Sequence, residues 1–303
     1  MKKIVIIGCG NVGVTYAYSL LMSGTNIDKL VLIDINKAKA QAEATDLCHS
    51  IKYAPKNIEV YAGDYSECAD ADIVCICAGK ARTIIQSRDE LLLDNFEIMK
   101  SIVNEINKTT FNGIYLIASN PLDTMTYAVK RLSNFDYNKV IGSGTTLDSA
   151  RLNYLISKKL NINPKNIHGN VIGEHGNSAF VSWDDILIGC NKISDFLTKE
   201  EMIEIENEVK DSAVAIIKGK GYTNFGVATC LLQITNAIIN NSNEILTVSV
   251  YDESYDICYS KPCIVNKNGA NINIDIDLTE EDYLQLNNTM NKLKNTKNII
   301  FKD

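Results

Sequence analysis

Residues 2–13 read KKIVIIGCGNVG, and with the VTYAYSLLMSG of 14–24 and the KLVLID of 29–34 they decide the fold. A short β-branched apolar run reads as a buried strand, the glycines as a turn, and the amphipathic stretch as a helix that Gly24 ends. The same alternation continues outward. IEVYAG (58–63), DIVCICAG (72–79), GIYLIAS (113–119) and KVIGSG (139–144) are strand-like. AKAQAEATDL (38–47) and residues 89–108 and 122–132 are helix-like. Strands this apolar, separated by helices, predict a doubly wound parallel α/β sheet covered on both faces, with ligands at the carboxyl ends of its strands.

After Gly144 the pattern changes. A helix is expected near Leu147, then a strand and loop in NIHGNVIGEHGN (166–177), then helices at 199–218 and 226–240. ILTVSVYD and PCIVNKNGANINIDIDL read as strands around a turn at Asn268 and Gly269. Thr279 and Asp282 resemble a capping box opening a last helix. The expected division is a dinucleotide-binding domain over 1–142 and a mixed α+β substrate domain over 143–303.

A length of 303 residues suits two domains, and 46% hydrophobic with 22% charged residues is an ordinary globular composition. A net charge of −7 leaves no electrostatic footprint for nucleic acid or an anionic membrane. The nine cysteines form no CxxC pair and suit a reducing cytoplasm. Cys75 and Cys77 are expected on one face of a buried strand rather than on a metal. The first apolar run, in KIVIIGCG after Lys2, is too short for a signal peptide or a membrane span, so a cytoplasmic protein is expected.

Gly8, Gly10 and Gly13 spell GxGxxG, a weak pattern alone. Here it follows a strand, opens a helix, and is followed by Asp34 at the end of the next strand. Gly8 allows the turn, Gly10 lets a pyrophosphate approach the backbone, and Gly13 lets helix and strand pack closely. The helix N-terminus favours phosphate, and Asp34 accepts from a ribose diol while repelling a 2′-phosphate. NAD is therefore expected rather than NADP.

His49, His168 and His175 are the histidines, and His175 sits between glycines in IGEHGNS, where packing calls for no imidazole. Asp148 and Arg151, three apart on a predicted helix, form either a surface ion pair or part of a site. Hydride transfer from a secondary alcohol needs a base such as imidazole, a carboxylate to orient it, and a guanidinium to bind a substrate carboxylate.

The ordered motifs GCGNVG, VLID, AGKAR with SR, SNPLDTMTY, VIGSGTTLDSAR, GEHGNS and KGYTNFGVAT resemble those of the lactate/malate dehydrogenase family over nearly the whole chain. The resemblance implies a Rossmann fold and an NAD-dependent oxidoreductase of small 2-hydroxy acids. It implies that His175 carries the proton with Asp148 as partner. Arg151 clamps the substrate carboxylate, and Arg88 polarises the carbonyl from a closing loop. Asn120, before Pro121 in a cis-prolyl turn, contacts substrate and nicotinamide. Thr223 lines the substrate pocket and Val227 the nicotinamide pocket. Asn11, Val12, Ala78 and Gly79 join the cofactor contacts. A glycolytic cytoplasmic homotetramer, or a dimer, is also implied.

The substrate is less settled. In GKARTIIQSRDEL (79–91), Arg82 falls where the family reads the substrate side group, arginine usually going with malate and glutamine with lactate. SNPLDTMTY leans the same way, and Asn177 stands where most lactate enzymes carry aspartate. VIGSGTTLDSAR, His49, GEHG and Thr223 resemble the lactate branch, and KGYTNFGVAT resembles L-2-hydroxyisocaproate dehydrogenases. Ile84 and Ile85 either face an apolar side group or pack the closed loop. The reading adopted is L-lactate dehydrogenase, with malate and bulkier hydroxy acids as alternatives. His168 matches a position that helps bind fructose 1,6-bisphosphate in allosteric relatives, but Asn153 replaces the arginine paired with it, so no activation by that sugar phosphate is expected. A non-catalytic NAD-binding protein and a metal-dependent NAD glycosidase are the rivals. The first would not need His175, Asp148, Arg151 and Arg88 together, and the second expects a metal held by Cys and His.

Overall fold

Because apolar strands with no polar face must be covered on both sides, they gather edge to edge in the middle of the molecule. The structure, a computed structural model, describes residues 1–80, 87–271, 274 and 276–301. In its first half β1 (Lys3–Ile7), α1 (Asn11–Ser23), β2 (Lys29–Ile33), α2 (Lys37–Ser50), β3 (Glu59–Ala62) and β4 (Ile73–Ile76) are followed by α3 (Arg88–Ile106), β5 (Ile114–Ile117), α4 (Leu122–Ser133) and β6 (Val140–Gly142). The second half holds α5 (Thr146–Leu160), β7 (Val171–Ile172), β8 (Phe180–Val181), β9 (Leu187–Ile188), β10 (Asn191–Lys192), α6 (Lys199–Lys220) and α7 (Phe225–Asn240). It ends with β11 (Glu244–Asp252), β12 (Ile257–Asn266), β13 (Gly269–Asn271) and α8 (Glu280–Ile300).

The order β3-β2-β1-β4-β5-β6 is parallel throughout, with β1 between β2 and β4 in the register Ile33–Ile7–Ile76. The strands of the second half continue this sheet. Ser249 of β11 pairs antiparallel with Gly142 of β6, and β12 and β13 follow as an antiparallel meander. Alternating side chains divide the core in two. Ile4, Ile6, Leu30, Leu32, Val248 and Val265 face one way, against α1, α2 and α7. Val5, Ile7, Val31, Val74 and Ile117 face the other, against α3 and α4. Each buried aliphatic side chain contributes about 2 kcal/mol. No helix of the described residues is long and apolar enough to cross a membrane.

One expected turn is displaced by a residue. The register Asn266–Gly269 puts the β12–β13 turn on Lys267 and Asn268, and Gly269 opens β13 at φ +103°. A Cβ there would lie 1.9 Å from the Asn138 carbonyl oxygen, so glycine serves a close backbone approach rather than the turn itself. Cys75 and Cys77 do share a face of the β4 region, with sulfurs 3.7 Å apart.

Gly13 is as constrained, since a Cβ would meet the Gly8 carbonyl oxygen at 2.0 Å, whereas one at Gly10 would meet nothing within 4 Å. Gly13→Ala is expected to cost about 3 kcal/mol in urea unfolding, while Gly10→Ala stays within about 0.5 kcal/mol. Equal midpoints for the two variants would refute this reading.

Candidate active site

The carboxyl ends of β1, β2, β4 and β5 meet where the chain makes its tightest turns. Gly8 has φ +105°, and a Cβ on it would lie 2.6 Å from the Ala78 nitrogen. Gly10 caps α1 without a side chain, leaving the first-turn amides of Asn11 and Val12 beside an open backbone surface. The Asp34 carboxylate is oriented by two amides, Cys9 N–H to Oδ2 at 2.8 Å and Asn36 N–H to Oδ1 at 2.8 Å. Both oxygens keep lone pairs for a diol. An open cradle at Gly10, a helix N-terminus and an oriented acid fit a dinucleotide such as NAD.

The loops after β4 and β5 are stitched together by buried side chains. Ser119 donates to the Ala78 carbonyl at 2.5 Å. Asn95 of α3 accepts from the Lys80 amide at 2.7 Å and donates to the Asn120 carbonyl at 2.8 Å. The Asn120–Pro121 bond is cis, as expected, and the Asn120 side chain is exposed at this edge. Ala78, Gly79 and Asn120 are thus held in one place.

The acid–base group forms where α5 meets the β7–β8 hairpin. The Val171 amide donates to Ser149 Oγ at 2.9 Å, and the Thr145 hydroxyl donates to the Val171 carbonyl. The next residues carry His175 back over α5. His175 Nδ1 lies 2.7 Å from Asp148 Oδ2, and Arg151 Nη1 donates to Asp148 Oδ1 at 3.1 Å. Asp148 is 9% exposed. Burial would raise its pKa, but the His175 imidazole and the Arg151 guanidinium outweigh that and hold it below the usual carboxylate range. Burial likewise opposes charging of His175, yet the Asp148 carboxylate, with help from Asp123, pushes the imidazole above its ordinary value. The pair favours the proton on His175 and the ionised form of Asp148.

A cavity of about 170 Å³ opens beside this group. Asp148, Arg151, His175 and Asn177 line one side, and Phe180, Val209, Ala213 and Val214 give it apolar walls. Thr223 and Val227 stand at the α6–α7 corner, tied to α1 by the Asn224 side chain donating to Thr15 Oγ1 at 2.8 Å. Neither lines this cavity. Arg88 is exposed in the first turn of α3, whose capping box is built by Ser87 and Glu90. Arg82 and the Thr83, Ile84 and Ile85 beside it lie outside the described residues.

Some participants escaped sequence reasoning. Asp123 accepts the His175 amide at 2.7 Å. Glu174 accepts from Ser178 at 2.6 Å and from Lys292 of α8 at 2.5 Å. Glu206 of α6 accepts from the Trp183 indole at 3.2 Å and pairs with Lys210 at the cavity wall. Asp123 belongs to the SNPLDTMTY motif, which was visible, but its partner lies 52 positions away.

Comparison with known proteins places this geometry. Residues 2–142 match a model described as the NAD binding domain of lactate/malate dehydrogenase, and 145–303 match its alpha/beta C-terminal domain. An L-lactate dehydrogenase of Macrococcus caseolyticus (strain JCSC5402) is 41% identical over 302 residues, 97% of this chain and 96% of that protein. A lactate dehydrogenase, MGS-M5, from a Medee basin deep-sea metagenome library superposes with a TM-score of 0.95 at 39% identity, covering 99% of this chain and 98% of that one. A minor L-lactate dehydrogenase from Enterococcus mundtii in its ligands-bound form gives a TM-score of 0.97 at 34% identity, covering 100% and 99%.

Asp148→Asn removes the charge that raises His175. Its imidazole resonances are expected to titrate at lower pH than in the wild type, followed by NMR. An unchanged titration would mean that the Asp148 contact is only structural.

Proposed function

The chain belongs to the lactate/malate dehydrogenase family, and on that premise we propose that it interconverts pyruvate and L-lactate with NAD as cofactor. The observation that carries the proposal is one buried carboxylate, Asp148, bound at once to His175 and Arg151. When bound, NADH supplies a hydride to the carbonyl carbon of a 2-keto acid. His175, kept protonated by Asp148, donates a proton from its other ring nitrogen to the carbonyl oxygen, and takes it back in the reverse direction. Arg151 pairs bidentately with the substrate carboxylate. Arg88, in the first turn of α3, polarises the carbonyl. Asn120 orients the substrate oxygen, Thr223 and Val227 border substrate and nicotinamide, and Gly8, Gly10, Asn11, Val12, Gly13, Asp34, Ala78 and Gly79 hold the dinucleotide.

The size and walls of the cavity support a small apolar side group such as the methyl of pyruvate. Asn177 on the same wall, where a carboxylate would repel a dicarboxylate, favours oxaloacetate as a second reading, in the same sense as Arg82. Comparing kcat/KM for pyruvate, oxaloacetate and 2-ketoisocaproate in the wild type and in Arg82→Gln separates them. Pyruvate is expected to lead, with little change on substitution. An oxaloacetate preference that Arg82→Gln abolishes would replace the lactate reading. Arg151→Lys is expected to raise the KM for pyruvate about 100-fold.

The pocket at His168 argues against sugar-phosphate control. Asn153 Oδ1 accepts the Gly169 amide at 3.0 Å, and the described residues lining the pocket include Asp185 but no lysine or arginine. Fructose 1,6-bisphosphate is expected to leave the KM for pyruvate unchanged, and a clear drop would refute this. Ile203, Ile216 and Ile217 on α6 are exposed apolar side chains that support a homo-oligomer, a tetramer in our reading. Free cysteines throughout the described chain suit the cytoplasm.

A further inference from the structure

His175 is held by two carboxylates, and only one of them touches its ring. Asp123, on the first turn of α4, is 1% exposed and accepts three hydrogen bonds. The His175 main-chain N–H donates to Oδ2 at 2.7 Å. The hydroxyls of Ser249 and Ser260 donate to Oδ1 at 2.6 and 3.2 Å. These serines are direct cross-strand partners on β11 and β12, so the carboxylate is clasped by the sheet on one side and the catalytic loop on the other. The same loop is pinned again two residues earlier, where Gly173 and Ser260 exchange both backbone hydrogen bonds, at 2.9 and 2.8 Å.

We propose that Asp123 is a second positioning carboxylate for the reaction, anchoring the main chain of His175 to the sheet and keeping negative charge behind its imidazole. The proposal rests on His175 being the proton carrier of the preceding section. A neutral hydrogen-bonding residue would suffice for anchoring alone, because Asn accepts an amide through Oδ1 while its Nδ2 donates to a serine hydroxyl. Asp adds charge, at the expense of desolvation: burial pushes its carboxyl up to about 6, against the lowering effect of Ser249 and the His175 amide. The three donors favour its ionised form, and losing them favours the neutral acid.

The ionisable groups around His175 come from every side of the site. Asp148 and Arg151 project from α5, and Asp123 from α4. Glu174 on the loop is paired with Lys292 of α8. Glu206 and Lys210 of α6 pair with each other on the cavity wall. Cys230 of α7 and Cys258 of β12 stay neutral thiols because burial pushes both up. Asp123 thus meets His175 through its main-chain N–H, and its other two hydrogen bonds come from neutral serine hydroxyls.

The test is the pH dependence of kcat/KM for pyruvate in Asp123→Asn and Asp123→Ala, with NADH affinity measured by fluorescence. Reduction requires protonated His175, so a lower imidazole pKa moves the alkaline limb of the profile to lower pH. In Asp123→Asn that limb is expected to shift down, with kcat/KM about threefold lower relative to its plateau at a pH just above the wild-type limb, and NADH affinity unchanged. Asp123→Ala is expected to lose plateau activity as well, because the amide anchor goes with the charge. A folded Asp123→Asn with the wild-type profile overturns the proposal, since an anchoring amide then does everything the carboxylate does. If Asp123→Asn fails to fold, Ser249→Ala carries the test: losing the 2.6 Å donor favours the neutral acid, and the limb is expected to move the same way, an unmoved limb again overturning the proposal. A wild type that reduces no 2-keto acid with NADH would instead remove the underlying reading of His175.

Discussion

The carboxylate of Asp148 organises the site, because it answers two cationic groups from a nearly buried position. An ionised carboxylate in such surroundings is costly unless it is paired and hydrogen-bonded. Here both oxygens are used, one by the His175 ring and one by Arg151. That sharing favours the proton on His175 and leaves the Arg151 guanidinium among the groups lining the cavity. A guanidinium and an imidazole that favours its proton are therefore brought together by one interaction.

What lets α5 deliver Asp148 to that point is the sheet behind it. The parallel strands place every β-to-α loop at one edge, the usual position for a dinucleotide. The antiparallel β11 and β12 then extend the sheet past β6 and bring Ser249 and Ser260 under the loop that carries His175, where Ser260 pairs with Gly173. A separate second sheet would have left His175 on a loop with little behind it. The continuous sheet gives it a rigid floor, and the Glu174–Lys292 pair adds a brace from α8.

Polar side chains in the interior mark where function displaced packing. Asn95, Ser119, Asp123, Ser249 and Ser260 are all buried, and each is hydrogen-bonded to a loop or side chain at the active edge. In a largely apolar core, these positions give up about 2 kcal/mol of apolar burial each to hold neighbouring groups in place.

The amino-acid sequence by itself determined the parallel half of the fold and its cofactor end. Strand periodicity, the spacing of Gly8, Gly10 and Gly13, and the acid at Asp34 all act within one βαβ unit, where neighbours in sequence are neighbours in space. His175, Asp148 and Arg151 were also legible, since their chemistry and family motifs single them out. Only the tertiary structure decided that β11 to β13 continue the first sheet, that the β12–β13 turn falls on Lys267 and Asn268, and that Asp123 reaches the His175 amide. The reason is physical. Alternating hydrophobicity states which face of a strand is buried but not which strand lies beside it, and a buried carboxylate shows its purpose only once the donors that satisfy it, 52 to 137 positions away, have been brought to it.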